Sequence, residues 1–472
     1  MPELSRERIE KLVRDVIDEI GEKIPLSKSN NISTGVFDNV DDAVHCSVLA
    51  QKEWLNTCDD KKKKIIDALR EAMHKNANKF AQQALSETGM GRLEDKIAKH
   101  HNAADSTPGI EDLETRSWMG DKGTVVEERA PYGVIGGITP STHPIPVLLN
   151  SLIISIAGGN SIVFSVHPAA KHVSANAVEI FNNIIIDNGG PANLVSMVRE
   201  PSLENVDRLF KHKDISLIVA TGGPAVVEAA FKAGKKVIAA GPGNPPVLVD
   251  SSACLNSAAK NIIEGASFDN NILCIAEKET FVVDNVFPEF MAAMKSNGAV
   301  CLSADQIDAL TSKALQQTND GNYVGDRNFI GKNASKLGTV CGLNISDDVR
   351  LLFGEVPCNH PFVVAEQMMP FMPIVRVASF SEGVEKSKIA EHGYGHTAVI
   401  HSNNLESITK FTKEIDTSIV IVNGTSLSGN GPSAGEGYFS HTIASPTGEG
   451  VCTPRDFTRV RRISISKALK IV

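Results

Sequence analysis

Residues 134–142 read VIGGITPST, a short apolar strand that runs into a turn of small and polar residues. Three more strand-like runs follow at residues 161–164 (SIVF), 217–220 (LIVA) and 236–240 (KVIAA), and helix-like segments separate them. Because strands and helices alternate in this way between residues 127 and 250, the order predicts a parallel α/β sheet with crossover helices. Sheets of this kind bind ligands at the carboxyl ends of their strands.

The ends of these predicted strands carry turn residues suited to a binding site. They are residues 139–142 (TPST), 165–168 (SVHP) and 221–224 (TGGP). The last turn leads into a helix-like segment over residues 226–233, and main-chain N–H groups at the start of such a helix hold phosphate groups. No Gly-x-Gly-x-x-Gly fingerprint occurs there, so an ordinary glycine-containing turn stays an open alternative.

The composition of the chain narrows the classes of function. With 472 residues the chain is long enough for two or three domains with large cores. Its formal net charge of −9 argues against a nucleic-acid partner, which usually meets a basic face. We expect no membrane segment and no signal peptide, because no apolar run spans a bilayer and charges interrupt the first residues.

The metal-ligating residue types form no recognisable site. The eight cysteines are scattered without a C-x-x-C pair, which indicates free thiols in a reducing compartment. His392, His396 and His401 do not share a helical face, and no acidic or cysteine partner stands beside them at a zinc-ligand spacing. We therefore expect no metal.

Cys274 lies at a junction between a helix-like stretch, residues 257–266, and a strand-like run, residues 280–283. A substrate can reach a cysteine at such a junction, and a thiolate is a strong nucleophile near neutral pH. Free cysteines are also common in protein cores, where they are inert. The local sequence alone leaves both interpretations of Cys274 open.

The two ends of the chain differ from the middle. Residues 1–20 carry an apolar stripe at helical spacing, and the polar residues 21–35 read as a flexible linker. An isolated helix of this length is marginal in water, so it needs a docking site, either on its own subunit or in a groove of another protein. Near the other end, alternating residues 461–465 predict an edge strand added to a sheet, either of the same chain or of a neighbouring subunit.

Six motifs then follow in one order along the chain. They are residues 137–144 (GITPSTHP), 157–164 (AGGNSIVF), 220–223 (ATGG), 239–245 (AAGPGNP), 268–277 (FDNNILCIAE) and 366–374 (EQMMPFMPI). With this series the chain resembles the aldehyde dehydrogenase superfamily from about residue 36 onward. The resemblance implies an α/β fold with a parallel Rossmann-type cofactor sheet, an α/β catalytic domain and a small β oligomerisation element.

The resemblance also implies a domain plan. An amphipathic encapsulation-peptide helix (1–20) and a linker (21–35) precede an NAD-binding domain (36–240), which includes an oligomerisation hairpin at about residues 115–130. A catalytic thiol domain (241–430) follows. The return segment and C-terminal oligomerisation strand occupy residues 431–472.

Two departures narrow the resemblance to the CoA-acylating branch. Hydrolytic members carry a glutamate general base where this chain has Ala239, and many members hold the adenosine ribose with a lysine where it has Ser165. The closing residues 442–451 and the N-terminal helix are also similar to that branch. Within that branch, the chain resembles the propionaldehyde and acetaldehyde dehydrogenases of bacterial microcompartments.

The resemblance assigns roles to particular residues. Cys274 is the expected nucleophile, and its main-chain N–H together with Thr142, which has His143 beside it, is the expected oxyanion site. Glu366 is expected on the nicotinamide ribose. The other positions expected to line the cofactor site are Thr139, Pro140, Ser165, His167, Pro168, Thr221, Gly222 and Gly223. NAD is preferred, although His167 and Lys171 are placed where they can approach the extra phosphate of NADP.

The expected reaction oxidises propionaldehyde or acetaldehyde with NAD and coenzyme A to acyl-CoA. The expected setting is a cytoplasmic bacterial microcompartment, with a shell protein bound through residues 1–20 and a homo-oligomer, dimer or tetramer. Three alternatives stay open: a hydrolytic dehydrogenase, a phosphorylating dehydrogenase and a catalytically silent shell scaffold. Glu277 bears on the hydrolytic alternative, because it is either the general base that this alternative needs or a solvated surface charge.

Overall fold

A computed structural model describes residues 34–431 and 435–469 of the chain. The predicted helix of residues 1–20 and most of the predicted linker lie outside the described residues. Within the described part, every helix is too short or too polar to cross a lipid bilayer.

The first sheet has six parallel strands in the order β1-β6-β5-β4-β7-β8. Its strands are β1 (Val36–Phe37), β4 (Val134–Thr139), β5 (Ser161–Val166), β6 (Val195–Val198), β7 (Ile215–Thr221) and β8 (Lys236–Ala240). The four strands predicted from the alternation are confirmed as β4, β5, β7 and β8. The order reverses direction at β4, and the strand ends on either side of such a point form a crevice that suits a ligand.

In the described part of the chain, seven helices accompany the strands of this first sheet. They are Val40–Trp54, Asp59–Thr88, Leu93–Ser106, Pro144–Ala157, Lys171–Asp187, Leu203–Lys211 and Pro224–Lys232. The helix Pro144–Ala157 follows the first strand–turn step directly, and all fourteen of its residues are buried. A helix that is mostly apolar on every side belongs in the interior of a protein, and here it anchors the turn that precedes it.

The second sheet has seven parallel strands in the order β11-β14-β15-β10-β9-β16-β17. Its strands are β9 (Pro246–Val249), β10 (Glu279–Val283), β11 (Val300–Cys301), β14 (Leu352–Glu355), β15 (Phe371–Val377), β16 (Thr397–His401) and β17 (Ile419–Val422). Its helices are Leu255–Ser267, Phe287–Ser296, Ala304–Ala314, Ala334–Val340, Pro361–Val364, Phe380–Glu391 and Leu405–Ile415. Its large apolar core includes Phe281, Phe290 and Phe353, all nearly inaccessible to solvent.

A third, antiparallel sheet joins β2 (Arg116–Gly120), β3 (Gly123–Pro131) and β20 (Thr458–Ser466). The predicted hairpin at 115–130 is therefore present, and the predicted final strand pairs with the chain's own β3. Two ion pairs cross that ladder, Arg461 with Glu128 and Arg462 with Glu127. The oligomeric role of this sheet remains a prediction.

Two short ladders complete the described strands, β12 (Leu315–Gln317) with β13 (Tyr323–Gly325) and β18 (Ile443–Ala444) with β19 (Gly450–Val451). The stretch after residue 435 returns to the first sheet, where Asn160 donates its side-chain N–H to the carbonyl of Phe457 at 2.9 Å. From Thr34 onward the chain is one compact unit. The proposed domain boundaries inside it remain predictions.

Candidate active site

A cavity of about 550 Å³ opens where the carboxyl ends of β4, β5 and β7 face the segment that carries Cys274. All eleven residues that the sequence selects for the site line this one cavity. They are Thr139, Pro140, Thr142, Ser165, His167, Pro168, Thr221, Gly222, Gly223, Cys274 and Glu366. Residues from turns that are far apart in sequence therefore meet at one place.

The strand ends present polar groups suited to a nucleotide. Within the described residues, the buried hydroxyls of Thr139, Ser165 and Thr221 have no protein hydrogen-bond partner. Gly223 caps the helix Pro224–Lys232, and the space where its Cβ would stand is open. Free hydroxyls and the N–H groups of a helix start are the partners that ribose and phosphate groups use. The residues present therefore fit a dinucleotide.

The thiol segment begins with an unusual backbone. Asp269, Asn270 and Asn271 have φ of 46°, 56° and 66°, a left-handed conformation that these residue types adopt more readily than most. Such a run is strained unless its surroundings hold it in place. Here all three residues are buried, which makes the turn rigid rather than loose.

Buried hydrogen bonds hold this turn. Asp269 accepts a bond from the main-chain N–H of Arg92 at 2.7 Å, and Asn270 donates to the carbonyl of Gly331 at 2.9 Å. Asn271 donates to the carbonyls of Ala266 and Glu277, both at 2.8 Å. The turn is therefore fixed at both ends before the chain reaches Cys274.

The Cys274 side chain is only partly buried and opens into the cavity. Burial raises the pKa of its thiol to about 12, and the nearby Glu366 carboxylate adds to the rise. Lys278 and the main-chain N–H groups of Cys274 and Ile275 lower that pKa. The resting thiol is protonated at neutral pH, and positive charge in the cavity favours the thiolate.

Thr142 faces the same cavity and is held from two sides. Its hydroxyl lies 2.9 Å from Nδ1 of His143, and burial, followed by the charges of His441 and Lys99, holds the pKa of His143 well below its usual value. The carbonyl of Thr142 accepts bonds from the ammonium groups of Lys96, at 3.4 Å, and Lys99, at 3.3 Å. His143 is thus neutral. In its tautomer with the proton on Nδ1, the His143 N–H donates to the Thr142 hydroxyl oxygen, and the Thr142 hydroxyl proton is then available for another acceptor.

The same two lysines contact the thiol segment. Lys96 lies 3.3 Å from the carboxylate of Asp269, and Lys99 also pairs with it. All three side chains are almost completely buried. This cluster of charges, called here the lysine–aspartate cluster, joins the Thr142 turn to the turn that precedes Cys274.

Glu366 is the only carboxylate among the described residues that line the cavity. Burial raises its pKa to about 7, while Lys278 and the main-chain N–H of Gly243 oppose the rise. Within the physiological pH range the side chain therefore loses its O–H donor and becomes an acceptor only.

Glu277 is neither of the two alternatives that the sequence offers. It is completely buried and faces away from the cavity, where its carboxylate accepts bonds from the N–H and hydroxyl of Ser426 at 2.7 and 2.6 Å. Burial is the chief reason that its pKa rises to about 7. A glutamate engaged in this way cannot activate a water molecule at the thiol, and it is not a surface charge.

Ala239 lies in β8, is completely buried and does not line the cavity, whereas its neighbour Ala240 does. No carboxylate therefore comes from this strand. Among the residues that the structure describes, no group of three histidine, cysteine or acidic side chains is arranged to hold a metal ion.

A second, smaller cavity of about 250 Å³ lies beside Leu273 and Ile275, the residues on either side of Cys274. Phe268, Leu427 and Phe439 contribute apolar walls, and His441 lines both cavities. The sequence reasoning missed this cavity and His441, because the segments that form them become neighbours only in the folded chain.

The fold and the site together define a cofactor-dependent thiol enzyme. The model of the aldehyde dehydrogenase family matches residues 27–438, and the chain belongs to that family. It is 45% identical over 440 residues to the acetaldehyde dehydrogenase (acetylating) EutE of Salmonella typhimurium, covering 93% of this chain and 94% of that relative.

Two solved structures are similar over nearly the whole described chain. One is a propionaldehyde dehydrogenase from the fucose utilisation bacterial microcompartment of Clostridium phytofermentans, with a TM-score of 0.90 and 42% identity over 93% of this chain and all of that one. The other is the propionaldehyde dehydrogenase of Rhodopseudomonas palustris with bound CoA and an acylated cysteine. Its TM-score is 0.90, with 39% identity over 93% of this chain and all of that one.

Proposed function

We propose that this protein is a CoA-acylating aldehyde dehydrogenase that converts a short aldehyde, NAD and coenzyme A into acyl-CoA and NADH. The observation that carries the proposal is the position of Cys274, which opens into a nucleotide-sized cavity where Glu366 is the single carboxylate among the described lining residues. We assign Glu366 to the cofactor ribose, so no carboxylate of that lining is left as a dedicated base for water. Ala239 provides no carboxylate, and Glu277 is occupied by Ser426. The acylated cysteine in the Rhodopseudomonas palustris relative supports the same role for Cys274.

The first half of the reaction forms a thioester on Cys274. The thiolate adds to the aldehyde carbonyl, and its sulfur–carbon bond gives a hemithioacetal whose oxygen carries the negative charge. The Cys274 N–H and the Thr142 hydroxyl are the donors for that oxygen. NAD⁺, when bound, supplies the hydride acceptor and a positive charge that favours the thiolate. Loss of hydride from the carbon leaves the acyl group on sulfur.

Several lining residues would hold the cofactor. The hydroxyls of Thr139, Ser165 and Thr221 are available to ribose and phosphate, and ionised Glu366 offers acceptors to a ribose diol. Lys171 is paired with Glu200 at 2.6 Å, and burial, followed by the charge of Arg327, lowers the pKa of His167. A paired lysine and a neutral histidine offer little charge to an extra phosphate, so NAD is the preferred cofactor.

The second half transfers the acyl group to coenzyme A. The CoA thiolate attacks the thioester carbonyl, a new sulfur–carbon bond forms, and the bond to Cys274 breaks with the thiolate as leaving group. Water competes poorly without a base, since general-base assistance is typically worth about 10²–10⁴ in rate. A thiol is partly ionised near neutral pH and needs less assistance.

The second cavity is the place we assign to the alkyl group of the aldehyde. It lies directly beside the two neighbours of Cys274, and Phe268, Leu427 and Phe439 make one side apolar. Its volume of about 250 Å³ suits a chain of a few carbons such as acetaldehyde or propionaldehyde.

The test is to trap and discharge the thioester. The enzyme is incubated with propionaldehyde and NAD but without CoA, and the Cys274 peptide is analysed by mass spectrometry. We expect one propionyl group on Cys274, which disappears on addition of CoA as propionyl-CoA forms. Discharge at the same rate by water would indicate the hydrolytic reaction, discharge by phosphate the phosphorylating one, and no acylation a scaffold protein.

The cellular setting that we propose is a bacterial microcompartment, as in the Clostridium phytofermentans relative. Residues 1–20 carry the helical stripe that would dock on a shell protein. Deletion of residues 1–20 is expected to leave turnover intact and to abolish co-localisation with shells. Loss of turnover in the isolated protein would instead indicate that the helix packs on its own subunit.

A further inference from the structure

Lys278 is a buried lysine that the reaction described above does not require. Its side chain is completely inaccessible to solvent, and it stands just before β10. The ammonium donates to the carbonyl of Asn271 at 3.0 Å, the side-chain oxygen of Asn271 at 2.6 Å and the carbonyl of Leu273 at 2.9 Å. All three donors of the ammonium are therefore used on the turn that leads to Cys274.

The environment of Lys278 is unusual for a buried cation. Among the described residues, no carboxylate forms an ion pair with it, and its hydrogen bonds go to uncharged oxygens. Charged and titratable groups face it from several elements, namely Cys274, Glu277, Glu279, Glu366 and His396. Burial lowers the pKa of Lys278, and the surrounding acidic groups oppose that effect. Removing an ammonium group from water is costly in free energy. The burial of Lys278 beside the thiol therefore indicates a functional role and not only a packing role.

The bond to Leu273 controls the direction of the next N–H group. The Leu273 carbonyl also accepts from the N–H of Ala276 at 3.2 Å, so two donors fix one peptide plane. This peptide is trans, and the C=O and N–H of a trans peptide point in opposite directions. With its carbonyl held by Lys278, the peptide directs the Cys274 N–H to the opposite side, where it interacts with the sulfur.

We propose that Lys278 is a positioning residue that aims the Cys274 N–H at the developing oxyanion and provides the positive charge behind the sulfur. This inference rests on the proposed function only in that Cys274 is the nucleophile. It concerns the reactivity of the thiol and does not depend on whether CoA or water later removes the acyl group.

The test compares Lys278→Met with a matched control, Lys235→Met. Lys235 also donates to two main-chain carbonyls, those of His212 and Ile215, and it lies outside both cavities. The rate of alkylation of Cys274 by iodoacetamide is measured from pH 6 to 10 by peptide mass spectrometry. NADH formation provides kcat and KM.

In Lys278→Met the alkylation profile is expected to move to higher pH by about one unit, so that alkylation at pH 8 slows about tenfold. We expect kcat at saturating NAD to fall by about 10²–10³, the usual effect of losing one oxyanion donor. KM for NAD near pH 7 is expected to rise as well, because Lys278 also lowers the pKa of Glu366. Lys235→Met is expected to keep the wild-type profile. A folded Lys278→Met protein with wild-type alkylation and kcat would overturn the proposal.

A second measurement covers the case in which Lys278→Met does not fold. The crystal structure of the wild-type protein carrying an acyl group on Cys274 is expected to place the Cys274 nitrogen about 2.7–3.1 Å from the acyl oxygen, with Lys278 still bonded to Leu273. A Leu273 carbonyl rotated away from Lys278, or an acyl oxygen turned away from the Cys274 nitrogen, would overturn the proposal on Lys278. Free acid as the product would contradict the proposed function alone and leave the role of Lys278 intact.

Discussion

At the scale of single residues, the reactive thiol is held in an unreactive form. Burial raises the pKa of Cys274 to about 12, so almost none of it is thiolate near pH 7 in the isolated chain. The groups that lower this pKa, Lys278 and two main-chain N–H groups, are already in place. The thiol therefore responds to any further positive charge that enters the cavity, and the enzyme avoids carrying a permanently reactive nucleophile.

Substitution of Cys274 tests its role directly. In Cys274→Ala we expect NADH formation to fall to background, because no thioester can form. The matched control is Cys358→Ala, which removes an exposed cysteine that lines neither of the two cavities at Cys274. Activity is followed as NADH absorbance, and residual turnover of Cys274→Ala above background would contradict the assignment.

The raised pKa of Glu366 predicts a pH effect on cofactor binding. Its pKa of about 7 means that the side chain gains negative charge as the pH rises from 6 to 8, and only the ionised form offers acceptors alone to a ribose diol. We expect KM for NAD to fall by up to about tenfold over this range. In Glu366→Gln we expect KM for NAD to stay constant between pH 6 and 8, because glutamine does not ionise. A wild-type KM that is constant, or that rises with pH, would exclude this role.

At the scale of elements, the lysine–aspartate cluster joins the helix Leu93–Ser106 to two turns of the active site. Burial alone would raise the pKa of Asp269, but the charges of Lys99 and Lys96 outweigh it and the pKa is lowered. The stabilising effect of the carboxylate is thus fully present above its unfolded pKa of about 4 and is lost only as the pH falls through the lower folded value.

Removal of that carboxylate is expected to be strongly destabilising. Asp269→Asn leaves two buried ammonium groups without their partner, and the free energy of unfolding should fall by about 3–5 kcal/mol. Asp284→Asn is the control, because Asp284 pairs with Arg376 at an exposed position. Urea unfolding at pH 7 measures both variants. An Asp269→Asn protein as stable as the control would show that the cluster does not hold the turns together.

Particular elements explain what the sequence could and could not predict. The strands β4, β5, β7 and β8 were predictable because each is a short apolar run followed by turn residues, and parallel strands place those turns at one edge. The burial and hydrogen bonding of Glu277 were not predictable, since its spacing from Cys274 does not reveal which way a buried side chain points. Lys278 and His441 were missed for a related reason: their roles depend on three-dimensional neighbours rather than on a local pattern.

At the scale of the whole molecule, the three-stranded sheet leaves apolar side chains in solvent. Trp118 on β2 is 51% exposed and Val460 on β20 is 55% exposed. Exposed apolar groups on an edge sheet suit contact with a second copy of the chain. The sheet is therefore the surface on which we expect the homo-oligomer to form.

Disruption of this surface should separate the subunits. Val460→Asp is expected to shift the mass measured by light scattering toward the monomer, because it places a charge in the proposed contact. Leu405→Asp is the control, since Leu405 is 78% exposed on a helix of the second sheet. An unchanged mass for Val460→Asp, or an equal shift in both variants, would contradict the assignment of the interface.

The central claim is that the acyl group leaves Cys274 on a thiol and not on water. The most direct measurement is steady-state oxidation of propionaldehyde by NAD with and without CoA, in which NADH, propionyl-CoA and propionate are all quantified. We predict one propionyl-CoA for each NADH when CoA is present, and a rate lower by about 10² or more when it is omitted. Propionate formed at the same rate in the absence of CoA would contradict the account.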